Sequence, residues 1–344
     1  MSIMKKYKYE INTIVNHKVH NLSNYYILHD KRIALYEDGL IKICNLNTFK
    51  PNIIIPITNE SDYLHFCEFI QNKKENQFAF IVYSEEKNII YLISLGKENY
   101  TILETLKFKN KITYVYGILN NIDYIGSFIV CLENSNELKI YKKTNSLLFW
   151  KSPSYSLVHN YRIKFIDKIE VKEIKETSDG QNLILMTVVG SFIKSCSFMN
   201  LNLKYTKIIA YYVLYEDRPS KNHFLILQNK ILYINELDNI KLLDYNNMKN
   251  IFKIETKDKN NGKIEAIEKI DDNRIICGTS LGNAFEIEIK NDKLIFDDVF
   301  NVANRKKYKI FSNINSIMKI SENKYIFRDE LCYLICKRKD LCLI

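Results

Sequence analysis

Residues 32 to 46, Arg32-Ile-Ala-Leu-Tyr-Glu-Asp-Gly-Leu-Ile-Lys-Ile-Cys-Asn-Leu, decide the fold. Branched and aromatic side chains, which suit a pleated surface, stand on both sides of Asp38-Gly39. That dipeptide tolerates the positive φ angles of a two-residue turn, so the stretch reads as strand, tight turn, strand.

The same hairpin recurs along the 344 residues. Its turns fall at Asp38-Gly39, near Lys87-Asn88, at Asn134 to Asn136, Gly190, Asn229, Gly282 and Asp329-Glu330. Steps between them run from 39 to 54 residues with a mean of about 48, near the ~40–50 residues of a four-stranded propeller blade. Seven turns predict an all-β fold: one seven-bladed β-propeller of four-stranded blades spanning residues 1–344. The blades are expected at 19–58, 62–109, 110–156, 161–208, 209–246, 263–300 and 312–344. Within them, Leu147 to Trp150 is read as the outer strand of blade three, Tyr211 to Tyr215 as the first strand of blade five, and Leu294 to Phe300 as the outer strand of blade six. Blade seven shows only three strands of its own. Residues 1–15 contain a partly alternating run from Lys6 to Val15. That run is expected to supply the missing outer strand and close the ring, which keeps edge strands short and protected.

Composition agrees with a packed domain. Apolar residues are 47% and charged residues 26%, and only 9 Gly and 4 Pro are present, so no low-complexity linker divides the chain. The 24 Tyr and 18 Phe favour strands. The first residues carry charge without an apolar run behind them, unlike a secretory signal. No stretch approaches the ~20 apolar residues that span a bilayer. An intracellular protein, cytoplasmic and/or nuclear, is expected. Of eight cysteines, Cys44, Cys67, Cys131, Cys196 and Cys277 each sit alone in an apolar strand pattern. They read as buried thiols with no disulfide partner. Cys332, Cys336 and Cys342 lack a nearby His and form a poor zinc pattern.

Arg32 to Leu46 resembles the second and third strands of a WD repeat, with Asp38-Gly39 at the turn and Cys44-Asn45 where that family usually has Trp-Asp. Arg274-Ile-Ile-Cys-Gly-Thr-Ser-Leu-Gly-Asn-Ala-Phe-Glu-Ile-Glu resembles the same unit, with Gly278 and Gly282 at the small positions around the turn. Ile317 to Phe327 matches the first two strands. The resemblance is therefore to a divergent member of the WD-repeat β-propellers. It implies a binding platform for other proteins. No Trp-Asp pair exists, Trp150 is the sole Trp, and His20 follows Val19 instead of Gly. The Asp–His–Ser–Trp network of regular repeats is thus expected to be largely missing.

No pattern for chemistry stands out. His17, His20, His29, His65, His159 and His223 are scattered. Glu85-Glu86, Asp271-Asp272 and Asp297-Asp298 are adjacent pairs, whose members point to opposite faces of a strand and do not converge on a substrate. Phosphate-binding Gly-rich loops and nucleophile motifs are absent. No catalytic, cofactor or metal site is expected. The net charge of +10 is unevenly spread. Lys5, Lys6 and Lys8, then Arg305, Lys306, Lys307 and Lys309, then Lys337, Arg338 and Lys339 all fall in or beside the closing blade. Docking of the N-terminal strand would gather them into one positive patch. Such a patch attracts RNA, an acidic protein surface or anionic lipid, and Tyr7, Tyr9 and Tyr308 could stack on bases.

Two functions therefore follow. The first is a non-catalytic protein–protein interaction scaffold, a propeller subunit of a larger intracellular complex, with contacts on loops such as those after Asn59, Asn72 and Arg218. The second is direct RNA or other nucleic-acid binding through the closing-blade patch.

Overall fold

Gly39 has φ +74°, the left-handed conformation that lets Glu37 and Leu40 face each other as the last pair of the hairpin. Its neighbour Asp38 lies outside the described residues. The computed structural model describes residues 6–16, 25–37, 39–57, 64–72, 75, 77–133, 137–144, 154–162, 169–189, 195–205, 207–214, 219–235, 239–254, 262–290, 293–296, 300–301, 313–328 and 332–341. Among these residues the strands form seven small antiparallel sheets, divided between two compact units.

The unit Asn21–Glu216 holds four sheets of four strands. The first runs Tyr25–Ile27, Arg32–Glu37, Leu40–Asn45, Pro51–Pro56, and the second Leu64–Asn72, Gln77–Ser84, Ile89–Leu95, Tyr100–Lys107. The third is Ile112–Gly117, Ser127–Leu132, Glu137–Thr144, Ser154–Arg162, and the fourth Ile169–Glu176, Asn182–Val189, Ser195–Asn202, Lys207–Leu214. In each of these four sheets the strands pair in chain order, as successive hairpins require.

The other unit joins Met1–His20 to Asp217–Ile344. Its fifth sheet is Pro219–Leu227, Lys230–Asn235, Ile240–Asp244, Lys249–Ile254. The sixth contains Ile264–Asp271, Arg274–Thr279 and Asn283–Lys290, the last of which pairs with both Lys293–Phe296 and Phe300–Asn301. In the seventh, Ser316–Ser321, Lys324–Arg328 and Cys332–Leu341 are followed by Lys6–Asn16, which pairs antiparallel from Lys6 opposite Leu341 to Asn16 opposite Cys332.

Several strand assignments differ from the sequence reading, among them the outer strand of the fifth sheet, Lys249–Ile254, which lies beyond the expected end of that blade at 246. Ser154–Arg162 is the outer strand of the third sheet, and residues 147–150 lie outside the described residues. Tyr211 belongs to Lys207–Leu214 and pairs with Met199 in the fourth sheet, so the fifth begins at Pro219. The outer edge of the sixth is two short strands, Lys293–Phe296 and Phe300–Asn301, with residues 297–299 between them outside the described set. Alternating hydrophobicity marks a strand but not the sheet it joins, and outer strands with one solvated edge carry the weakest pattern.

Each unit is held by sheets packing face to face. One buried cluster joins Ile41, Ile43 and Ile55 of the first sheet to Leu64, Phe80 and Val82 of the second. A further cluster joins Phe69, Ile81 and Tyr83 of the second to Val115, Phe128 and Val130 of the third. The third and fourth sheets share Ile129, Ile140, Leu185 and Met199. In the other unit Leu232 and Ile275 link sheets five and six, and Ile276 and Phe327 link six and seven. Inner strands are thus apolar on both faces, each fully buried large side chain contributing about 1.5–3 kcal/mol. In Leu64–Asn72, Leu64 and Phe66 pack toward the first sheet, while Cys67 and Phe69 pack toward the third. Period-two alternation therefore serves two neighbours at once.

Candidate functional site

Within the unit Asn21–Glu216, the first strands of three successive sheets border a cavity of about 270 Å³. Tyr25 and Tyr26 come from the first sheet, Phe66, Cys67 and Glu68 from the second, and Tyr114 to Gly117 from the third. Tyr83, on the second strand of the second sheet, also lines it. Burial pushes the phenols of Tyr26, Tyr83, Tyr114 and Tyr116 above the usual tyrosine range, so each stays a neutral hydroxyl.

Glu68 is the carboxylate of this lining. It is 7% exposed and accepts a hydrogen bond from the His29 backbone N–H at 2.7 Å. Burial raises its pKa to about 7, with the His29 bond and the Arg32 charge opposing and Asp30 assisting. Arg32 does not neutralise it directly. Its guanidinium is engaged with Asp30 at 2.5 Å and with the Gly96 carbonyl at 2.6 Å. His65 also borders the cavity but pairs with Glu85 at 3.2 Å. His65 and Glu68 are three positions apart on one strand and leave it on opposite faces, so they do not meet as an acid–base pair. Burial likewise lifts the Cys67 thiol well above its ordinary range, which removes a thiolate nucleophile.

The cavity is framed by hydrogen bonds between neighbouring sheets. Glu176 accepts the backbone N–H groups of Leu119, Asn120 and Asn121 at 3.0, 2.9 and 2.8 Å. Its own N–H donates to the Tyr116 hydroxyl at 3.2 Å. The first two sheets repeat the arrangement: the residue three after Tyr26, His29, donates its N–H to Glu68. In the other unit lysines do similar work. Lys269 donates to the Ile226 carbonyl at 3.1 Å, and Lys319 donates to that of Ile270.

Of the basic residues singled out in the sequence, Lys5, Arg305, Lys306, Lys307 and Lys309 lie outside the described residues. Lys6 and Lys8 sit opposite Leu341 and Lys339 in the seventh sheet. Lys337 is exposed. Arg338 corrects the expectation. It is 5% exposed, turned inward, and grips Glu286 with two hydrogen bonds of 2.6 and 2.8 Å, so it does not belong to a surface patch. Adjacent strand positions point to opposite faces, and here Lys337 faces water while Arg338 turns inward.

Among the other candidates, His29 stacks on Phe78 at 3.6 Å. Asp271 holds Arg274 while Asp272 reaches Lys269, so that acidic pair diverges. His17, His20, Trp150, Asp297 and Asp298, with the loop after Asn59, lie outside the described residues, and Arg218 is followed directly by the strand Pro219–Leu227 instead of a loop. Cys44, Cys67, Cys131, Cys196, Cys277 and Cys336 take part in no disulfide. Among the described residues no group of three or more His, Cys, Asp or Glu could hold a metal, and no helix is long and apolar enough to cross a membrane. The sequence reading missed the cavity. Its signal was Glu68, a carboxylate inside the apolar run Leu64 to Ile70.

No family model matches the chain. An uncharacterized protein of Mycoplasma genitalium is 27% identical over 184 residues, which make up 52% of this chain and 17% of that protein. The chain thus corresponds to a small part of that relative's length. Two solved structures are similar in fold. Chaetomium thermophilum Raptor gives a TM-score of 0.67 at 10% identity, covering 99% of this chain and 29% of that one. The Swd1 β-propeller domain of Myceliophteria thermophila gives 0.62 at 10% identity, covering 96% of this chain and 99% of that domain. With its seven antiparallel sheets, the chain is similar in structure to the WD40 β-propeller domains.

Proposed function

We propose that this protein is a non-catalytic protein-interaction platform, a propeller subunit of a larger intracellular assembly. In this reading the seven sheets are the blades of one ring, and Lys6–Asn16 completes the last blade. The observation that carries it is the likeness to the Swd1 propeller domain over nearly the full length of both chains. Sheets buried on both faces leave rims and loops as the surfaces for partners. The separation of Glu68 from His65 and the engagement of His65 by Glu85 speak for binding over catalysis.

The test is affinity purification of the full chain from its native cell. Stoichiometric co-purifying proteins are expected, and recovery only as a free monomer would count decisively against the assembly. The RNA reading has less support, because Arg338 is committed to Glu286.

A further inference from the structure

The cavity in the unit Asn21–Glu216 carries chemistry that a general platform does not require. The whole chain has a net charge of +10, yet the cavity is bordered by one carboxylate and by no Lys or Arg. Its walls include Tyr25, Tyr26, Phe66, Tyr114 and Tyr116, and such rings carry electron density on their faces that attracts cations. Glu68 is more than nine-tenths buried, and one of its oxygens holds the His29 N–H. Its second oxygen receives no hydrogen bond from any described residue. The nearest guanidinium, that of Arg32, is spent on Asp30 and Gly96.

We propose that this cavity binds an alkylammonium or guanidinium group, presented as the end of a basic side chain of a partner protein, with Glu68 as counter-ion and the tyrosine and phenylalanine rings as walls. A buried carboxyl without a facing cation is costly, and an entering ammonium or guanidinium supplies the charge it lacks. An anion would meet Glu68 unfavourably, and a neutral ligand would leave the carboxyl as it is. The size suits a single side-chain head: about 270 Å³ falls just below the usual range of ligand pockets, which is roughly 300–1,000 Å³. The inference rests on the platform reading for the source of the cation, but the cavity itself is testable without it.

The experiment titrates the purified full chain with n-butylammonium and n-butylguanidinium, with butanol and butyrate as neutral and anionic controls. Binding is followed by calorimetry and by tyrosine fluorescence. At least one cation should bind, with butanol and butyrate bound about tenfold more weakly or not at all. Glu68→Gln retains an acceptor for His29 N–H and should weaken the cation about tenfold. Tyr25→Leu, on the partly exposed wall, should also weaken it, and serves if the Glu68 variant does not fold. Absence of binding by either cation, equal binding of butanol, or unchanged affinity in a folded Glu68→Gln chain overturns the site.

A second arm separates the source. Capped lysine and arginine peptides should bind more tightly than the free cations, and Glu68→Gln should lose at least one co-purifying protein that the wild type retains. If the free amines bind at least as well as the peptides, the partner-side-chain half of the proposal fails while the cation site stands. If partners co-purify equally with both chains, the platform stands and this cavity is not where they bind.

Discussion

Glu176 and Tyr116 hold each other across two sheets: the Glu176 backbone N–H donates to the Tyr116 hydroxyl at 3.2 Å, while the Glu176 carboxyl gathers three N–H groups just beyond Tyr116. Those N–H groups lead into the short 3-10 helix Ile122–Tyr124, so a single carboxylate fixes the exit of one inner strand against the next sheet. Replacing Glu176 by Ala should leave the donors without a charged acceptor and cost about 2–4 kcal/mol. Denaturant unfolding of the full chain checks this, and Glu176→Gln should recover part of the loss.

Glu68 predicts a pH dependence with a definite sign. Its pKa rises from about 4.5 in the unfolded chain to about 7 in the fold, so between those values the folded state holds a proton that the unfolded state has lost. Its contribution is fully present below pH ~4.5 and is lost as pH rises through ~7, on the order of 3 kcal/mol in all. Glu68→Gln removes the titration. The stability difference, wild type minus variant, should therefore fall between pH 5 and 8. A flat difference would sink the assignment.

Arg338 and Glu286 form a buried pair, each side chain 4% exposed. Removing Arg338 alone, as Arg338→Met, takes the charged partner from a buried carboxylate and should cost about 3–5 kcal/mol. The double variant Arg338→Met/Glu286→Leu should regain most of this. A double variant no better than the single one would mean that the pair is needed for more than mutual neutralisation.

Gly117 lies where two inner strands nearly touch. A Cβ built there would stand 1.9 Å from the Glu68 carbonyl oxygen and 2.9 Å from the Phe69 Cβ. Since backbone cannot swing aside as a side-chain tip does, Gly117→Ala should destabilise by roughly 1–3 kcal/mol or more. A lowered urea midpoint with unchanged slope is the expected result.

Deleting residues 1–16 removes the strand paired with Cys332–Leu341. Amide exchange in Leu334 to Cys336 should accelerate and thermal stability should fall, because an interior strand becomes an edge. Unchanged exchange would argue that Lys6–Asn16 contributes nothing to the seventh sheet.

Much of the strand pattern was legible because it is local. Gly39 and Asn88 adopt positive φ at hairpin turns read from the sequence, and Glu37 to Leu40 closes where Asp38-Gly39 indicated. The outer strands were less legible. Ser154–Arg162 is largely exposed, with Tyr155 its one buried residue, so little of it is constrained to alternate. Lys207–Leu214 follows a short turn after Ser195–Asn202 and belongs with it, but its apolar residues look equally like the start of a new blade. The basic cluster misled at Arg338, since a charge in sequence carries no sign of whether a buried partner such as Glu286, 52 positions away, awaits it.

By itself, then, the sequence determined an all-β chain of short hairpins at a blade-like spacing, because turn chemistry and period-two alternation act between residues a few positions apart. Only the tertiary structure decided which sheet each outer strand completes, which cation turns inward, and that Tyr26, Glu68 and Tyr116 border one cavity. Those three sit in separate sheets. Their convergence depends on how sheet faces stack, and packing of that kind is set by complementary surfaces that no local pattern records.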